Sequence, residues 1–374
     1  MKRAGHLKEI AYDPKTLAKA VKAAKKSKRV HSLFMRGKIT SDSAVAEIIG
    51  DFNFHADYTP ITVQDESSQK IRQAFKPSIH DVLVQNAFWL AIKEPIRRGT
   101  YRWSCGAIEG RGPDRLAMHV HKIVKRDPKR ARYWLKLDFR HCYPTIDRRI
   151  LRNNFLRVVK DPWAIEKFDQ WMAGLPGKTG VCIGDLISKE MANFHLTPLD
   201  HLIKEKLGTV YYHRYMDDML LIGPSKRSLQ KAAGVIADYC KKSMNAELHL
   251  ERGHVKTIPY VDKNGIERGE PIDMCGYRIY RTKVSMRRRV SIKTRRSLMR
   301  QWRKPSVSRA KSIVSRYGRY LRRTDHFVLD ERYHARKVFE ECKQLLRRQS
   351  HAKTRSNRVR EPEAGSGDLS PAAC

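Results

Sequence analysis

Val210-Tyr211-Tyr212-His213-Arg214-Tyr215-Met216-Asp217-Asp218-Met219-Leu220-Leu221-Ile222-Gly223 reads as a β-hairpin with two adjacent acids where the turn falls. Both arms, Val210–Arg214 and Met219–Gly223, are rich in strand-forming residues. Neighbouring carboxylates in an apolar hairpin repel each other unless a cation neutralises them, so the pattern points to a metal site. An isolated Asp-Asp pair in a basic chain is ordinarily a solvated turn, and the metal reading therefore requires a partner acid. Leu135-Lys136-Leu137-Asp138-Phe139, an apolar strand ending in an acid, supplies one. Asp138 is too far from Asp217 in sequence for a local contact, which suits two strands side by side in one sheet. Three such acids holding a pair of Mg²⁺ ions would align an attacking 3′-hydroxyl with a nucleotide phosphate and stabilise departing pyrophosphate. That chemistry is nucleotidyl transfer.

Other segments follow in a consistent order. Ile71-Arg72 after Lys70 precedes Asp81-Val82-Leu83-Val84-Gln85-Asn86-Ala87 and Glu94-Pro95-Ile96. Ser104-Cys105-Gly106-Ala107-Ile108-Glu109-Gly110-Arg111-Gly112 is a Gly-rich segment, and Tyr143 stands five residues after Asp138. Gly174 to Ser188 is a second Gly-rich loop, running into the helix-forming Lys189–Leu196. Its Lys178-Thr179 lies inside the loop and lacks the frame of a phosphate-binding P-loop.

In this order the segments resemble the reverse transcriptases of the bacterial group that includes diversity-generating retroelements, retrons, group II introns and phage-defence enzymes. The resemblance covers roughly residues 60 to 325. It implies fingers in which Lys70 and Arg72, two apart on an extended segment and so on one face, meet the incoming triphosphate. It implies a template contact at Arg111, and a metal set of Asp138, Phe139, Asp217 and Asp218. Tyr143 takes the place of the aromatic that packs beneath the deoxyribose and excludes a 2′-hydroxyl, the difference between making DNA and making RNA. Ile183-Gly184 stands where most members carry Gln-Gly and the diversity-generating group carries an aliphatic residue then Gly. Gly184 is expected to approach the nascent base pair. Ser188-Lys189 departs from the usual Ser-Gln of that group.

Downstream, Leu248-His249-Leu250 and Lys256-Thr257 look like the segment in which a lysine, here Lys256, protonates the leaving pyrophosphate. Met274-Cys275-Gly276-Tyr277-Arg278-Ile279 is similar to the F-L-G-Y primer grip, with Gly276 and Tyr277 at the primer. Ile313 to Leu321 resembles the thumb helix along the minor groove of the template–primer, presenting Arg316 and Tyr317.

Composition agrees independently. A net charge of +38 implies a polyanionic partner, because Lys and Arg release counterions when they meet phosphates. No apolar run approaches the roughly 18 residues of a membrane span, and no secretory segment opens the chain, so a cytoplasmic, soluble protein without membrane contact is expected. Cys105, Cys142, Cys182, Cys240, Cys275, Cys342 and Cys374 contain no C-x-x-C pair and read as reduced thiols. His119 and His121 read as exposed helix histidines.

The expected architecture is α+β, a right-hand polymerase with fingers, a palm of antiparallel sheet with packed helices, and a helical thumb. Its divisions are a basic N-terminal helical extension at 1–60, fingers and palm at 61–284, a basic helical thumb at 285–348 and a disordered tail at 349–374. The implied activity is RNA-directed DNA synthesis with two Mg²⁺ ions, or Mn²⁺ in their place. The implied partners are an RNA template, the RNA–DNA duplex, dNTPs, a cognate non-coding RNA and a small accessory protein. An RNA-dependent RNA polymerase shares the palm acids, but Tyr143 argues against it. A non-catalytic RNA-binding scaffold is opposed by the intact acids.

Overall fold

The computed structural model describes residues 2–64, 71–208, 211–250, 253–325 and 327–358. The chain divides into two compact units, Met1–Cys275 and a second beginning at Gly276. The first opens with four helices: α1 (Leu7–Tyr12), α2 (Pro14–Ala24), α3 (Lys28–Met35) and α4 (Ser41–Gly50). Asp13 starts α2 by accepting the Thr16 N–H (2.8 Å), with Pro14 in the first turn, where no amide partner is needed. Leu17, Ala20, Val21 and Ala24 form its buried stripe, while Lys15, Lys19 and Lys22 are exposed.

That stripe enters the same buried cluster as Leu83, Val84, Phe88 and Ile92 of α5 (Ile79–Arg97). The N-terminal segment expected as an extension therefore shares one core with the fingers and with the later helix Pro162–Gly174. Ahead of α5 lies an antiparallel hairpin, β1 (Tyr58–Gln64) and β2 (Ile71–Pro77), paired from Tyr58↔Pro77 to Gln64↔Ile71.

After α6 (Pro113–Arg126) the chain builds the palm. Its elements are β3 (Tyr133–Leu137), α7 (Cys142–Thr145), α8 (Arg148–Val158), α9 (Pro162–Gly174), α10 (Leu186–His195), α11 (Thr197–His201), β4 (Tyr211–Tyr215), β5 (Asp218–Gly223), α12 (Lys226–Met244) and β6 (Lys256–Thr257). The four strands pair antiparallel in the order β4-β5-β3-β6. Leu135 and Leu137, like Met219 and Leu221, lie two apart and share a face. Against it α12 buries Leu229, Ala233, Ile236, Cys240 and Met244, a helical period of apolar positions. A small hairpin, β7 (Tyr260–Val261) with β8 (Glu267–Arg268), and β9 (Ile272–Met274) complete this unit.

The second unit begins with the antiparallel pair β10 (Tyr277–Ile279) and β11 (Val284–Met286). It continues in α13 (Arg288–Arg303), α14 (Val307–Ser312), α15 (Gly318–Arg323), α16 (Phe327–Tyr333) and α17 (Ala335–Arg358). Leu298, Ala310, Ile313, Leu321, Val338 and Phe339 are among its buried side chains. The division falls at Cys275/Gly276 rather than after residue 284, so β10 and β11 go with the helices. Helix α17 also runs past Gln349 to Arg358, where a disordered tail was expected to have begun. The remainder of that tail lies outside the described residues. Cys105, Cys142, Cys182, Cys240, Cys275 and Cys342 are free thiols.

Candidate catalytic site on the palm sheet

The antiparallel register pairs Leu137 with Met219, so Asp138, one residue on, comes beside Asp218 at the same end of the sheet. Asp217 occupies the turn between β4 and β5, and Met216 before it adopts φ 55°, the left-handed region a tight turn requires. The sheet thus gathers the three acids expected from sequence. Burial, and then the charges of Asp218 and Asp138, push the Asp217 carboxyl above its ordinary value, while Arg72 draws it back. A carboxyl raised by burial and by two neighbouring acids is suited to a divalent cation, which would restore its ionised form. Lys136 already meets Asp218, Nζ to Oδ1 at 2.8 Å. The side chain of Phe139 is buried in the palm core, so only its backbone remains for a metal.

A buried ion pair holds this turn in place. The Arg214 and Asp200 side chains are fully buried, and Arg214 Nε and Nη2 donate to Asp200 Oδ1 and Oδ2 at 2.7 and 2.6 Å. Arg214 Nη1 donates to Asn193 Oδ1 (2.7 Å) and to the Met216 carbonyl (2.9 Å), reaching the residue next to Asp217. The Tyr212 hydroxyl also donates to Asp200 Oδ1 (2.7 Å). Behind the turn, Gly106 leaves no room for a side chain, because a Cβ there would stand 2.6 Å from the Met216 nitrogen. The Gly-rich segment expected at the template therefore also backs the acidic turn. Arg111 Nη1 donates to the carbonyls of Tyr101 (2.8 Å) and Ser104 (3.2 Å), so this guanidinium builds the segment instead of standing open for a phosphate.

A cavity of about 570 Å³ is lined by Tyr143, Ile183, Gly184, Phe75, Gln85 and Lys189, among others. The Phe75 N–H donates to the Ile183 carbonyl (2.7 Å), tying β2 to the Gly-rich loop. Gly184 has φ +107°, and a Cβ there would strike the Phe75 carbonyl oxygen. The close approach expected toward a base pair is thus made to the fingers strand. Directly after it, Asp185 is fully buried and caps α10, accepting the Ser188 N–H at 2.5 Å. Its other oxygen accepts from Gln85 Nε2 (2.6 Å) and the Tyr58 hydroxyl (2.7 Å). Burial pushes this carboxyl up, and the Ser188 N–H and Tyr58 hydroxyl pull it back. Arg72, on β2, is close enough for its charge to act on both Asp217 and Tyr143. Lys70 lies outside the described residues.

Three expected contacts are corrected. Lys256 pairs across from Trp134, four residues along β3 from Asp138, or about 13 Å at strand spacing. Its Nζ donates to Glu270 Oε2 at 2.5 Å, so the sheet register takes it away from the acids and leaves Lys136 as the lysine that meets them. Tyr277 is fully buried against Tyr320 (ring centroids 4.8 Å), unable to present its ring to a primer. A Cβ on Gly276 would strike the Tyr320 hydroxyl, so its glycine serves internal packing. In the helical unit Arg316 is exposed and Tyr317 half-buried. His119 is also no open helix residue: it stacks on Trp103 and its Nδ1 lies 2.8 Å from His213 Nε2. Burial lowers His213 to about 3 and His119 to about 4, so both are neutral near pH 7.

Sequence reading missed Lys136, the Arg214–Asp200 pair and the Asp185 network. An arginine inside the apolar Tyr211–Tyr215 strand was the available signal for the second, since a charge there needs a buried partner. Apart from the palm acids, Asp51, His55 and His80 bring their donor atoms within 4.8 Å of one another among the described residues. There His55 Nε2 lies 2.6 Å from Asp51, both in the segment after α4, and His80 Nδ1 lies 2.9 Å from Glu47, a contact that ties α5 to α4.

A family model described as reverse transcriptase (RNA-dependent DNA polymerase) matches residues 58–278, more than half of the chain. The chain belongs to the reverse transcriptase family. The matched span contains the acids, most of the cavity wall and the buried pair that holds the turn. No curated protein matches the sequence. Among solved structures, an apo telomerase from Candida tropicalis is 14% identical with a TM-score of 0.47, covering 69% of this chain and 52% of that one. A C-terminally truncated form of it gives 12% and 0.44, over 63% of this chain and 56% of that one. A Candida albicans telomerase in complex with a TWJ fragment of telomeric RNA gives 10% and 0.43, over 76% and 60%. The chain thus spans little more than half the length of these structures. The fold is that of a right-hand polymerase, with a mixed helix and sheet composition. No helix among the described residues is long and apolar enough to cross a membrane.

Proposed function

We propose that the chain is an RNA-directed DNA polymerase that extends a primer along an RNA template by two-metal nucleotidyl transfer. The observation that carries this reading is the meeting of Asp138 with Asp217 and Asp218 at one end of the palm sheet, where burial and then the two neighbouring charges raise the Asp217 carboxyl. Asp138, Asp217 and Asp218, with the Phe139 backbone, would hold divalent cations, Mg²⁺ or Mn²⁺. When bound, such ions activate the primer 3′-hydroxyl and neutralise the leaving pyrophosphate. The chain's own residues do the rest. Arg72, whose charge reaches Asp217, meets the dNTP triphosphate, and Lys136 holds Asp218 until a cation displaces it. Tyr143, on the wall of the cavity beside Ile183 and Gly184, supports a deoxyribose and crowds a 2′-hydroxyl, which favours DNA over RNA synthesis.

Primer extension on a poly(rA) template with an oligo(dT) primer tests the reading. Asp217→Asn or Asp218→Asn is expected to abolish extension with RNA binding retained, since binding rests on a distributed basic surface. Extension by the double variant at the parent rate would refute the metal assignment.

The biological setting we favour is a bacterial or phage retroelement of the diversity-generating kind, with a retron-like or phage-defence system as the alternative, acting in the cytoplasm with a cognate RNA and an accessory protein. Ile183 supports this, because an aliphatic side chain offers shape where a glutamine amide would offer donors and acceptors. Sequencing cDNA made on a defined RNA by the parent and by Ile183→Gln is the check. Fewer errors in the variant, above all at template adenines, support diversification, and equal low error rates remove it.

A further inference from the structure

On the helical side of the palm, a second cavity of about 340 Å³ lies among α8, α12 and the end of α10. Its polar wall is Asn153, Asn154 and Arg157 from α8, Tyr239 and Ser243 from α12, and His195. His195 is only 2% exposed, yet neither ring nitrogen has a hydrogen-bond partner. A buried imidazole with both nitrogens unmatched carries the desolvation cost of two polar groups, so its retention calls for an occupant. Burial lowers it to about 4 despite the nearby charge of Asp147, so it is neutral near pH 7 and offers one donor and one acceptor.

That pairing does not suit a simple anion, which only accepts. It suits a group presenting a donor and an acceptor together, such as a nucleobase edge or a sugar hydroxyl. The rest of the wall fits the same ligand. Arg157 is exposed at the mouth and close enough to Tyr239 for its charge to act on the phenol, placing a phosphate-binding guanidinium beside an aromatic ring. Asn153 and Asn154 add amides that both donate and accept. An unstacked nucleotide is recognised by this combination of ring, charge and base-edge groups.

We propose that this cavity binds one unstacked nucleotide, inserted from single-stranded RNA lying on the outer side of the palm helices. The choice of RNA rests on the reading of the chain as an RNA-templated polymerase, whereas the nucleotide chemistry rests on the cavity alone. A free mononucleotide presents the same groups and is the second source to be separated.

The experiment uses the full chain. A mixed-sequence single-stranded RNA of about 20 nucleotides carrying 4-thiouridine is crosslinked, and the peptides are mapped. AMP, CMP, GMP and UMP are titrated in parallel, with thermal shift as the readout. Crosslinks are expected on peptides containing Tyr239 or His195. Arg157→Ala with Tyr239→Ala should weaken affinity for the RNA at least about fivefold, the lower range of losing one stacked base. Extension of a primer–template hybrid whose only single-stranded part is a short templating overhang should stay unchanged, so loss of this site is distinguishable from failure of the polymerase reading. His195→Phe, which removes both ring nitrogens from the cavity wall, should weaken the same crosslinks, and the exposed Arg157→Ala alone guards against misfolding. Saturable stabilisation by a mononucleotide that competes with the crosslink would assign the site to free nucleotide and overturn the RNA proposal. Absence of crosslinks with unchanged affinity in the variants, leaving the cavity to water, would overturn both.

Discussion

Replacing Arg214 with Met keeps the length of the side chain and removes every hydrogen bond it donates. Asp200, fully buried, would then keep only the Tyr212 hydroxyl among the contacts described above, and the Met216 carbonyl would lose its donor. Removing one partner of a buried ion pair costs about 3–5 kcal/mol, because the remaining charge stays out of water uncompensated. Against a typical stability of about 5–15 kcal/mol this is a large fraction. At roughly 2–4 °C per kcal/mol for a large domain, the melting temperature should fall by about 6–20 °C. Pairing the change with Asp200→Leu removes the orphaned carboxylate and should recover part of that loss. It cannot restore the donor to Met216. The double variant is therefore expected to regain stability while primer extension stays depressed and the Mg²⁺ concentration for half-maximal rate stays raised, a change that lost stability alone would not produce. Thermal denaturation and Mg²⁺ titration of extension rates, both below the melting transition, measure the two effects. Full activity with unchanged Mg²⁺ dependence in Arg214→Met/Asp200→Leu would refute the claim that this pair positions the acidic turn.

Other outcomes follow from the same geometry. Because the Asp217 carboxyl is raised, its ionisation opposes the cation-free fold as pH climbs from the ordinary carboxylate range through the raised value. Stabilisation by Mg²⁺ should therefore grow with pH across that window, and a pH-independent Mg²⁺ effect in thermal shift would contradict the assignment. Gly184→Ala, strained at φ +107° and opposed by the Phe75 carbonyl, should cost about 1–3 kcal/mol and loosen β2 from the Gly-rich loop. Denaturant midpoints and amide exchange at Phe75 check this, and an unchanged midpoint would show that the loop relaxes freely. Tyr143→Ala should raise ribonucleotide incorporation in single-nucleotide assays, and unchanged selectivity would place the sugar gate elsewhere.

Much of the site was legible because its signals are local. The apolar run Met219–Ile222, the acids at the turn and the apolar run before Asp138 each depend on residues a few positions apart, and β3, β4 and β5 formed where they indicate. The helix starts at Asp13, Asp147, Asp161 and Asp185 are equally local, since each side chain caps the turn that follows it. Lys256 shows the limit. Its distance from Asp138 is set by the pairing of β6 with β3, and nothing within either segment states that register. The roles of Gly184 and Gly276 were assigned to nucleic acid for the same reason: a glycine announces close approach without saying to what.

The sequence by itself determined the palm acids, the hairpin that carries two of them, the antiparallel class of the sheet and the basic character of the surface. Tertiary structure alone decided that Arg214 would find Asp200, that Lys136 rather than Lys256 would meet the acids, and that the first four helices would share the core of the fingers. The physical reason is common to all three. Secondary structure and turn chemistry follow from interactions along a few residues of chain, but a charged or apolar side chain is completed by whichever distant segment the packing brings against it, and that choice is made by the whole core at once.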